Sequence, residues 1–346
     1  MKRKNSIVFF FLVLLAGNLF AKELPANKTI TKLAFGSCQR PEKGLGIYKS
    51  IAKLRPQLML LMGDNIYAQS IEDKTKMYQT LKDNPDFKKF SDKFPVYAIW
   101  DDNDYGTQDS GAEYPFRKES EKLFKSTFNF PKDLERDGIY QSLMFGGEGK
   151  RLQIILLDTR SFRSLLKLSS APLQIGSYVH NEDKNTTILG EAQWKWLEGE
   201  LRKPAEIRLI LTGFQFLAVD FHFEGWINFP HERERMFELV KSTNAGGVIF
   251  LSGDRHMAMF LHESKNRPYE IWEATASGLT HALPDTAPIE AERNVDGKIY
   301  FGLNFGFLNI DWKNKFVKLQ LRSEKGKVVR EKKLTFKSLH VAPEIK

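Results

Sequence analysis

The sequence predicts a mixed α/β fold in which two sheets carry helices on their outer faces. Runs of four or five apolar residues recur along the chain, which is typical of strands buried on both faces. Segments with apolar residues at helical spacing lie between these runs. The end of the chain instead shows consecutive strand patterns joined by short turns, which indicates antiparallel pairing.

Four apolar runs are predicted to be buried strands, and an aspartate follows each one. The runs are residues 58–62, 96–100, 154–157 and 248–251, and the aspartates are Asp64, Asp101, Asp158 and Asp254. The carboxyl ends of buried strands are where α/β folds place their functional groups. A single aspartate there usually caps a helix or turn. Several carboxylates at one sheet edge would repel one another, so they indicate a bound cation.

Helical spacing predicts helices at residues 47–54, 119–128, 191–201 and 232–240. Near the end of the chain, strand patterns at 307–311 and 316–321 flank residues 312–315, which predict a hairpin turn. The alternation of residue types that is typical of a strand returns over residues 327–336. The lysines and arginines of this last segment are typical of a solvated strand face.

Composition limits the class of protein. The 346 residues are 42% hydrophobic and 27% charged, which excludes a disordered chain and fits one large domain or two small ones. A single cysteine excludes a disulfide framework. The net charge of +9 suits an anionic substrate or surface without requiring nucleic acid.

Residues 1–21 have the organisation of a signal peptide. Lys2, Arg3 and Lys4 precede an apolar run at 7–16, and Ala21 is the small residue expected at a cleavage site. The run is shorter than the ~20 apolar residues that a spanning helix needs. We therefore expect export by the general secretion route to the periplasm or the extracellular space. An uncleaved N-terminal membrane anchor is the alternative.

Four motifs occur in a characteristic order: AFGSC at 34–38, GDNIY at 63–67, WDDNDYG at 100–106 and SGDRH at 252–256. Together they resemble the metal-binding motifs of the PhoD-like (alkaline phosphatase D) family of metallophosphatases, which is related to the calcineurin-like and purple acid phosphatases. The resemblance covers nearly the whole chain after residues 1–21. It implies that residues 22–346 form a single domain, a four-layer α/β/β/α sandwich of two mixed sheets flanked by helices. The immunoglobulin-like domain that often precedes this fold in relatives is not expected here.

The resemblance also implies an activity. An exported metal-dependent phosphoesterase would hydrolyse phosphomonoesters, phosphodiesters or both by attack of a metal-activated hydroxide. Fe(III) and Ca(II) are the expected cofactors, with Zn, Mn or Mg as other options. The expected partner is a small phosphoester, or a phospholipid head group, and neither specific nucleic-acid binding nor a stable protein partner is expected. The alternative is a non-hydrolytic protein that binds phosphoesters or other anions and retains the metal site.

The expected metal ligands are Cys38, Asp64, Tyr67, Gln108, Asp254 and His256. The two oxygens of Asp64 can bridge two cations. A phenolate from Tyr67 and a thiolate from Cys38 favour iron. Asp254 and His256 stand at alternate positions, so an extended chain would point both side chains the same way. Each also has an ordinary interpretation, such as core packing for Cys38 and Tyr67 or a hydrogen-bonded polar residue for His256.

Asp102, Asn103 and Arg160 are the expected catalytic residues. Family members usually carry histidine where this chain has Asn103, and an amide cannot transfer a proton. Gln108 stands where the family has asparagine, and Asp102 is the other candidate for that ligand. Arg160 is expected to hold phosphate oxygens in two hydrogen bonds, or alternatively to pair with Asp158 at the strand end.

Three further histidines lie on aromatic-rich segments that could line a pocket. His281 is equally compatible with a pocket wall and with packing, whereas surface or packing roles are expected for His222 and His231.

Overall fold

Two six-stranded sheets form the centre of the structure. The computed structural model describes residues 23–128, 130–131, 136–170, 177–220, 222–286 and 292–340. The expected signal peptide, residues 1–21, lies outside the described residues.

The first sheet combines parallel and antiparallel strands. Its strands are β1 (Lys32–Gly36), β2 (Met59–Met62), β3 (Val96–Ile99), β12 (Asn304–Asp311), β13 (Phe316–Ser323) and β14 (Val328–Thr335). Their order is β14-β13-β12-β1-β2-β3. The strands β1, β2 and β3 are parallel, and β12 to β14 pair antiparallel, as the sequence predicts for the end of the chain.

The second sheet has a parallel centre and antiparallel edges. Its strands are β4 (Gln141–Phe145), β5 (Leu152–Leu156), β8 (Ile207–Thr212), β9 (Val248–Ser252), β10 (Ala258–Glu263) and β11 (Ile271–Ala276). The order is β10-β11-β9-β8-β5-β4, and only β4 and β10 run antiparallel to their neighbours. A small hairpin, β6 (Lys167–Leu168) with β7 (Tyr178–Val179), lies apart from both sheets.

Seven α-helices lie within the described ranges. They are α1 (Ile47–Lys53), α2 (Ile71–Asp83), α3 (Pro85–Ser91), α4 (Asp102–Tyr105), α5 (Arg117–Thr127), α6 (Gly190–Leu201) and α7 (Pro230–Ser242). The four helices predicted from apolar spacing are confirmed as α1, α5, α6 and α7, whereas α2, α3 and the short α4 were not predicted. Side chains cap α2 and α3, because Ser70 accepts a hydrogen bond from the backbone of α2 and Asn84 from that of α3. Among the described residues, no helix is both long and apolar enough to cross a membrane.

Alternate residues of the second sheet belong to two different hydrophobic cores. Ile154 of β5 and Ile249 of β9 lie in a core shared with the first sheet, while Ile155 and Phe250 pack with α6 and α7. Apolar residues of α1, α2, α3 and α5 join the first core. The predicted four-layer α/β/β/α sandwich is confirmed. Its strands are apolar on both faces because each face packs against another layer.

Two glycines allow the ends of the strands to approach closely. Gly63 follows β2 with φ 91°, and a Cβ there would lie 2.4 Å from Cβ of Asp101. At Gly253, after β9, a Cβ would lie 2.6 Å from Oγ of Ser37. A bridge between Ser37 and Ser277 then links the two sheets. The loops that carry the acidic motifs are therefore brought to one edge of the sandwich.

Candidate metal centre

Four of the predicted ligands converge at this edge. The donor atoms of Cys38, Asp64 and His256 all lie within 4.8 Å of one another. Oη of Tyr67 lies 2.8 Å from Oδ2 of Asp64 and 3.0 Å from Nε2 of His256. The Cys38 thiol also points at Oδ2 of Asp64, at 3.5 Å. Thiol, phenol, imidazole and carboxylate thus surround one small volume.

A second group of donors shares Asp64 with the first. Carboxylate oxygens of Asp64, Asp101 and Asp102 lie within 4.8 Å of one another, and all three residues are buried. Oδ2 of Asp101 is buried and accepts no hydrogen bond from any described residue. Burial raises the pKa of Asp64 and of Asp101, and repulsion from neighbouring carboxylates raises both further.

The donor set fits two cations. An unpaired buried carboxylate oxygen and three crowded carboxylates are unfavourable unless a positive charge lies between them. Burial also raises the pKa of the Cys38 thiol and of the Tyr67 hydroxyl well above their usual values, so each keeps its proton unless a cation replaces it. Sulfur and nitrogen donors lie on one side of Asp64 and only oxygen donors on the other, which suits one softer and one harder metal.

Four of the predicted ligands have left-handed backbone conformations. The φ angles are 60° for Cys38, 52° for Asp64, 67° for Asp254 and 54° for His256. Such conformations are unfavourable by roughly 1–2 kcal/mol for residues other than glycine, and they concentrate at functional sites. The expectation that an extended chain orients Asp254 and His256 alike is therefore wrong. The turn after β9 places them instead.

Asp254 and Gln108 differ in their surroundings. Asp254 is half-buried, and burial raises its pKa to about 8, with repulsion from Glu224 and Asp102 adding to the effect. The Gln108 side chain is exposed, and its Nε2 donates to Oδ1 of Asp109 at 2.9 Å. Of the two candidates for one ligand position, the structure therefore favours the buried Asp102 over Gln108.

Asn103 lies on the first turn of α4 and faces the carboxylates. Its Nδ2 donates to Oδ1 of Asp64 at 3.2 Å and to Oδ1 of Asp102 at 2.9 Å. The residue as a whole is half-buried. Asn103 can therefore orient the carboxylates or donate a hydrogen bond, but it cannot supply a proton to a leaving group.

Arg160 does not have its predicted role. Its side chain is fully buried, and all five of its N–H groups are taken by the protein. The acceptors are Oδ1 of Asp101, both carboxylate oxygens of Glu224 and the carbonyl oxygen of Ser110. The predicted alternative, a pairing of the Arg160 side chain with Asp158, is not formed, because only the backbone N–H of Arg160 donates to Asp158, at 3.0 Å. Arg160 is thus a positioning residue that fixes Asp101 and leaves Oδ2 of that carboxylate free.

The three other histidines that the sequence singled out have different surroundings in the structure. The His281 ring lies 4.0 Å from the His256 ring and 4.9 Å from the Tyr67 ring, between centroids. His222 is exposed, and Nε2 of His231 lies 2.7 Å from the carbonyl oxygen of Thr186. Burial lowers the pKa of His256 to about 3, with a smaller contribution from His281. His256 is therefore neutral at ordinary pH, which is the form that binds metals.

The profile of the PhoD-like phosphatase family matches residues 33–321. The chain belongs to this family. Alkaline phosphatase D of Bacillus subtilis (strain 168) is 24% identical, over 68% of this chain and 48% of that protein. The PhoD-like chain thus spans about half the length of the curated relative that it matches.

Solved structures show the same fold. The structure of PhoD matches with a TM-score of 0.70 at 18% identity, covering 91% of this chain and 70% of that one. The purple acid phosphatase PPD1 from yellow lupin (Lupinus luteus) seeds matches with a TM-score of 0.62 at 12% identity, covering 90% of this chain and 55% of that one. The predicted family and the predicted metallophosphatase fold are both confirmed.

Sequence reasoning about this PhoD-like chain left two buried carboxylates out of the expected site residues: Asp101, which it named only as a strand-end aspartate, and Glu224. Asp101 lies inside the WDDND motif, but its part in a donor group depends on the packing of Asp64 against it. Glu224 lies in an aromatic-rich segment with no motif, and it is held by Arg160 and Arg163. No local signal marks Glu224, because both of its partners are about sixty residues away in sequence.

Proposed function

We propose that this PhoD-like protein is an exported metal-dependent phosphoesterase that hydrolyses phosphomonoesters, phosphodiesters or both. The observation that carries the proposal is the position of Asp64, which belongs to both donor groups at the edge of the sandwich. A carboxylate shared in this way is the arrangement that holds two cations next to each other. Membership of the PhoD-like phosphatase family supports the same conclusion.

The two donor groups suggest which residues hold which metal. Cys38, Tyr67 and His256, with Asp64, would hold Fe(III), since phenolate and thiolate favour that ion. Asp64, Asp101 and Asp102 would hold Ca(II), which prefers oxygen ligands. Asp254, whose carboxylate is near enough to Asp102 to be repelled by it, would be a further ligand of this ion. When bound, two such cations lower the pKa of water and neutralise charge on phosphoryl oxygens.

The protein's own residues hold this arrangement in place. The Arg160 guanidinium donates to one oxygen of Asp101 and leaves the other oxygen free. Glu224 accepts hydrogen bonds from the same guanidinium and balances its charge. Asn103 bridges Asp64 and Asp102 through its amide. Because no histidine stands at position 103, the leaving group has to depart without a proton from that side chain. Substrates with stable leaving groups are therefore favoured.

The proposal of export rests on residues 1–21, whose charged start, short apolar run and small residue at position 21 have the pattern of a signal peptide. Release into the periplasm or the extracellular space would place the enzyme with phosphoesters outside the cytoplasm. Mass spectrometry of the mature N-terminus tests this, and a chain that retains residues 1–21 would contradict cleavage.

The test of function combines metal analysis with two assays. Protein purified from its native compartment is analysed for iron and calcium, and hydrolysis of a nitrophenyl phosphate and a bis(nitrophenyl) phosphate is measured before and after chelation. We expect both metals, a colour from tyrosinate–iron charge transfer, and hydrolysis that chelation removes. Protein without bound metal would contradict the proposal.

The replacement at Asn103 favours one second candidate, a phosphoester-binding protein that no longer turns over its ligand. Metal-loaded, coloured protein that binds phosphate but hydrolyses neither ester would establish that candidate instead. The colour tests the metal centre, and the assay tests catalysis, so the two outcomes are separable.

A further inference from the structure

We propose that Arg40 and His281 bind the non-bridging oxygens of the substrate's phosphoryl group, and that Arg40 makes the site favour dianionic monoesters over monoanionic diesters. This inference rests on the proposed function, because it assigns the substrate contacts of the same site. It replaces the sequence-based assignment of that role to Arg160, whose N–H groups are all occupied.

Arg40 is a cation held beside the metal ligands without an acidic partner. The centre of its guanidinium lies 4.6 Å from the centroid of the Tyr67 ring. Its backbone is fixed, since the Arg40 N–H donates to Oγ1 of Thr280 at 2.6 Å. Its Nε is buried and donates to no acceptor, and across the described ranges the guanidinium forms no ion pair.

An unpaired, half-buried guanidinium is unfavourable in the free protein. Stacking on an aromatic ring offsets only part of the cost of leaving a buried donor without a hydrogen bond. The fork of N–H groups remains available for a ligand with oxygen acceptors. Phosphate oxygens match this fork in geometry and in charge.

His281 supplies a second unpaired group at the same place. Its ring packs against both Tyr67 and His256, and its Nδ1 is buried without a hydrogen-bond partner among the described residues. The backbone N–H of His281 donates to the carbonyl oxygen of Cys38 at 3.0 Å. The loop that carries His281 is therefore tied to the strand end that carries Cys38 and Arg40.

The charge of Arg40 gives the preference among esters. A phosphomonoester dianion offers three non-bridging oxygens that share two charges, whereas a diester offers two that share one. Hydrogen bonds between a guanidinium and phosphate oxygens strengthen with the charge on the acceptor. Loss of Arg40 should therefore weaken monoester binding more than diester binding.

The test compares Arg40→Gln with a matched control, Lys43→Gln, which removes a neighbouring but exposed positive charge. The measurements are kcat/KM for nitrophenyl phosphate and bis(nitrophenyl) phosphate, inhibition by inorganic phosphate, and metal content. Arg40→Gln should lower kcat/KM for the monoester and weaken phosphate inhibition by about 10- to 100-fold, with a severalfold smaller effect on the diester. Metal content should not change, and Lys43→Gln should have little effect.

Two further variants separate charge from geometry. Arg40→Lys keeps the charge and should recover part of the monoester preference, while His281→Ala should weaken phosphate inhibition with both metals retained. Equal losses for both esters, unchanged phosphate inhibition, or loss of metal in Arg40→Gln would each overturn the inference. Wild-type protein that hydrolyses neither ester, yet binds phosphate in a manner dependent on Arg40, would contradict the proposed function and leave this subsite standing.

Discussion

Oη of Tyr67 lies 3.0 Å from Nε2 of His256, although 189 residues separate them in the sequence. Tyr67 follows the second strand of one sheet, and His256 follows the central strand of the other. Their contact therefore depends on how the two sheets pack, and Asp64 accepts from the same hydroxyl at 2.8 Å. The packing of the two sheets therefore brings the residues of the candidate metal centre together.

Asp64→Asn should abolish hydrolysis and release metal from both positions. Asparagine has nearly the same size but no negative charge, and only one of its two terminal atoms can act as an acceptor. Metal analysis and the ester assays check this, with the exposed Asp92→Asn as the control. Full activity with unchanged metal content would remove the two-metal interpretation.

Cys38→Ser should weaken iron binding more than calcium binding, because thiolate is the softer ligand and contacts the donor group that contains His256. The ratio of iron to calcium in the purified variant is the measurement. Ser37→Ala is a suitable control, since Oγ of Ser37 lies 3.4 Å from Sγ of Cys38 but is not among the proposed ligands. If both metals decline equally, Cys38 acts by packing.

Asn103→His should raise activity on alkyl phosphate esters and change nitrophenyl esters little. General acid catalysis typically contributes about 10²–10⁴-fold, and only esters with basic leaving groups need it. Rates on both classes of ester provide the comparison. An equal increase for both would mean that position 103 acts through the carboxylates of Asp64 and Asp102, to which its amide is bonded.

Arg160→Met should lower the free energy of unfolding by about 3–5 kcal/mol, because the buried Asp101 would lose its arginine partner and the buried Glu224 would keep only Arg163. Urea unfolding of the protein measures this change. Adding Glu224→Gln to Arg160→Met should recover part of the loss, since the buried carboxylate that has lost one of its two arginine partners is then removed. A change below about 1 kcal/mol in the single variant would contradict this account of Arg160.

The sequence by itself determined the layers of the fold. Strands such as β2 and β9 lie between two packed layers, so all of β2 and the first four residues of β9 are apolar, and these runs are visible without any structure. The helices α6 and α7 carry periodic apolar residues because one face packs on a sheet. The helix α2 was missed since it buries only Lys74, Tyr78 and Leu81 in thirteen residues, which gives a weak pattern.

The sequence also singled out Cys38, Asp64, Tyr67 and His256, which the structure brings together, because they stand in local motifs at strand ends. Only the tertiary structure decided which arginine pairs with carboxylates and which one does not. Arg160 is paired with Asp101 and with Glu224, the latter 64 residues away, whereas Arg40 lies beside Tyr67 with no ion-pair partner in the described part of the chain. The partner of a buried charge is set by packing between distant segments, and no local pattern records that choice.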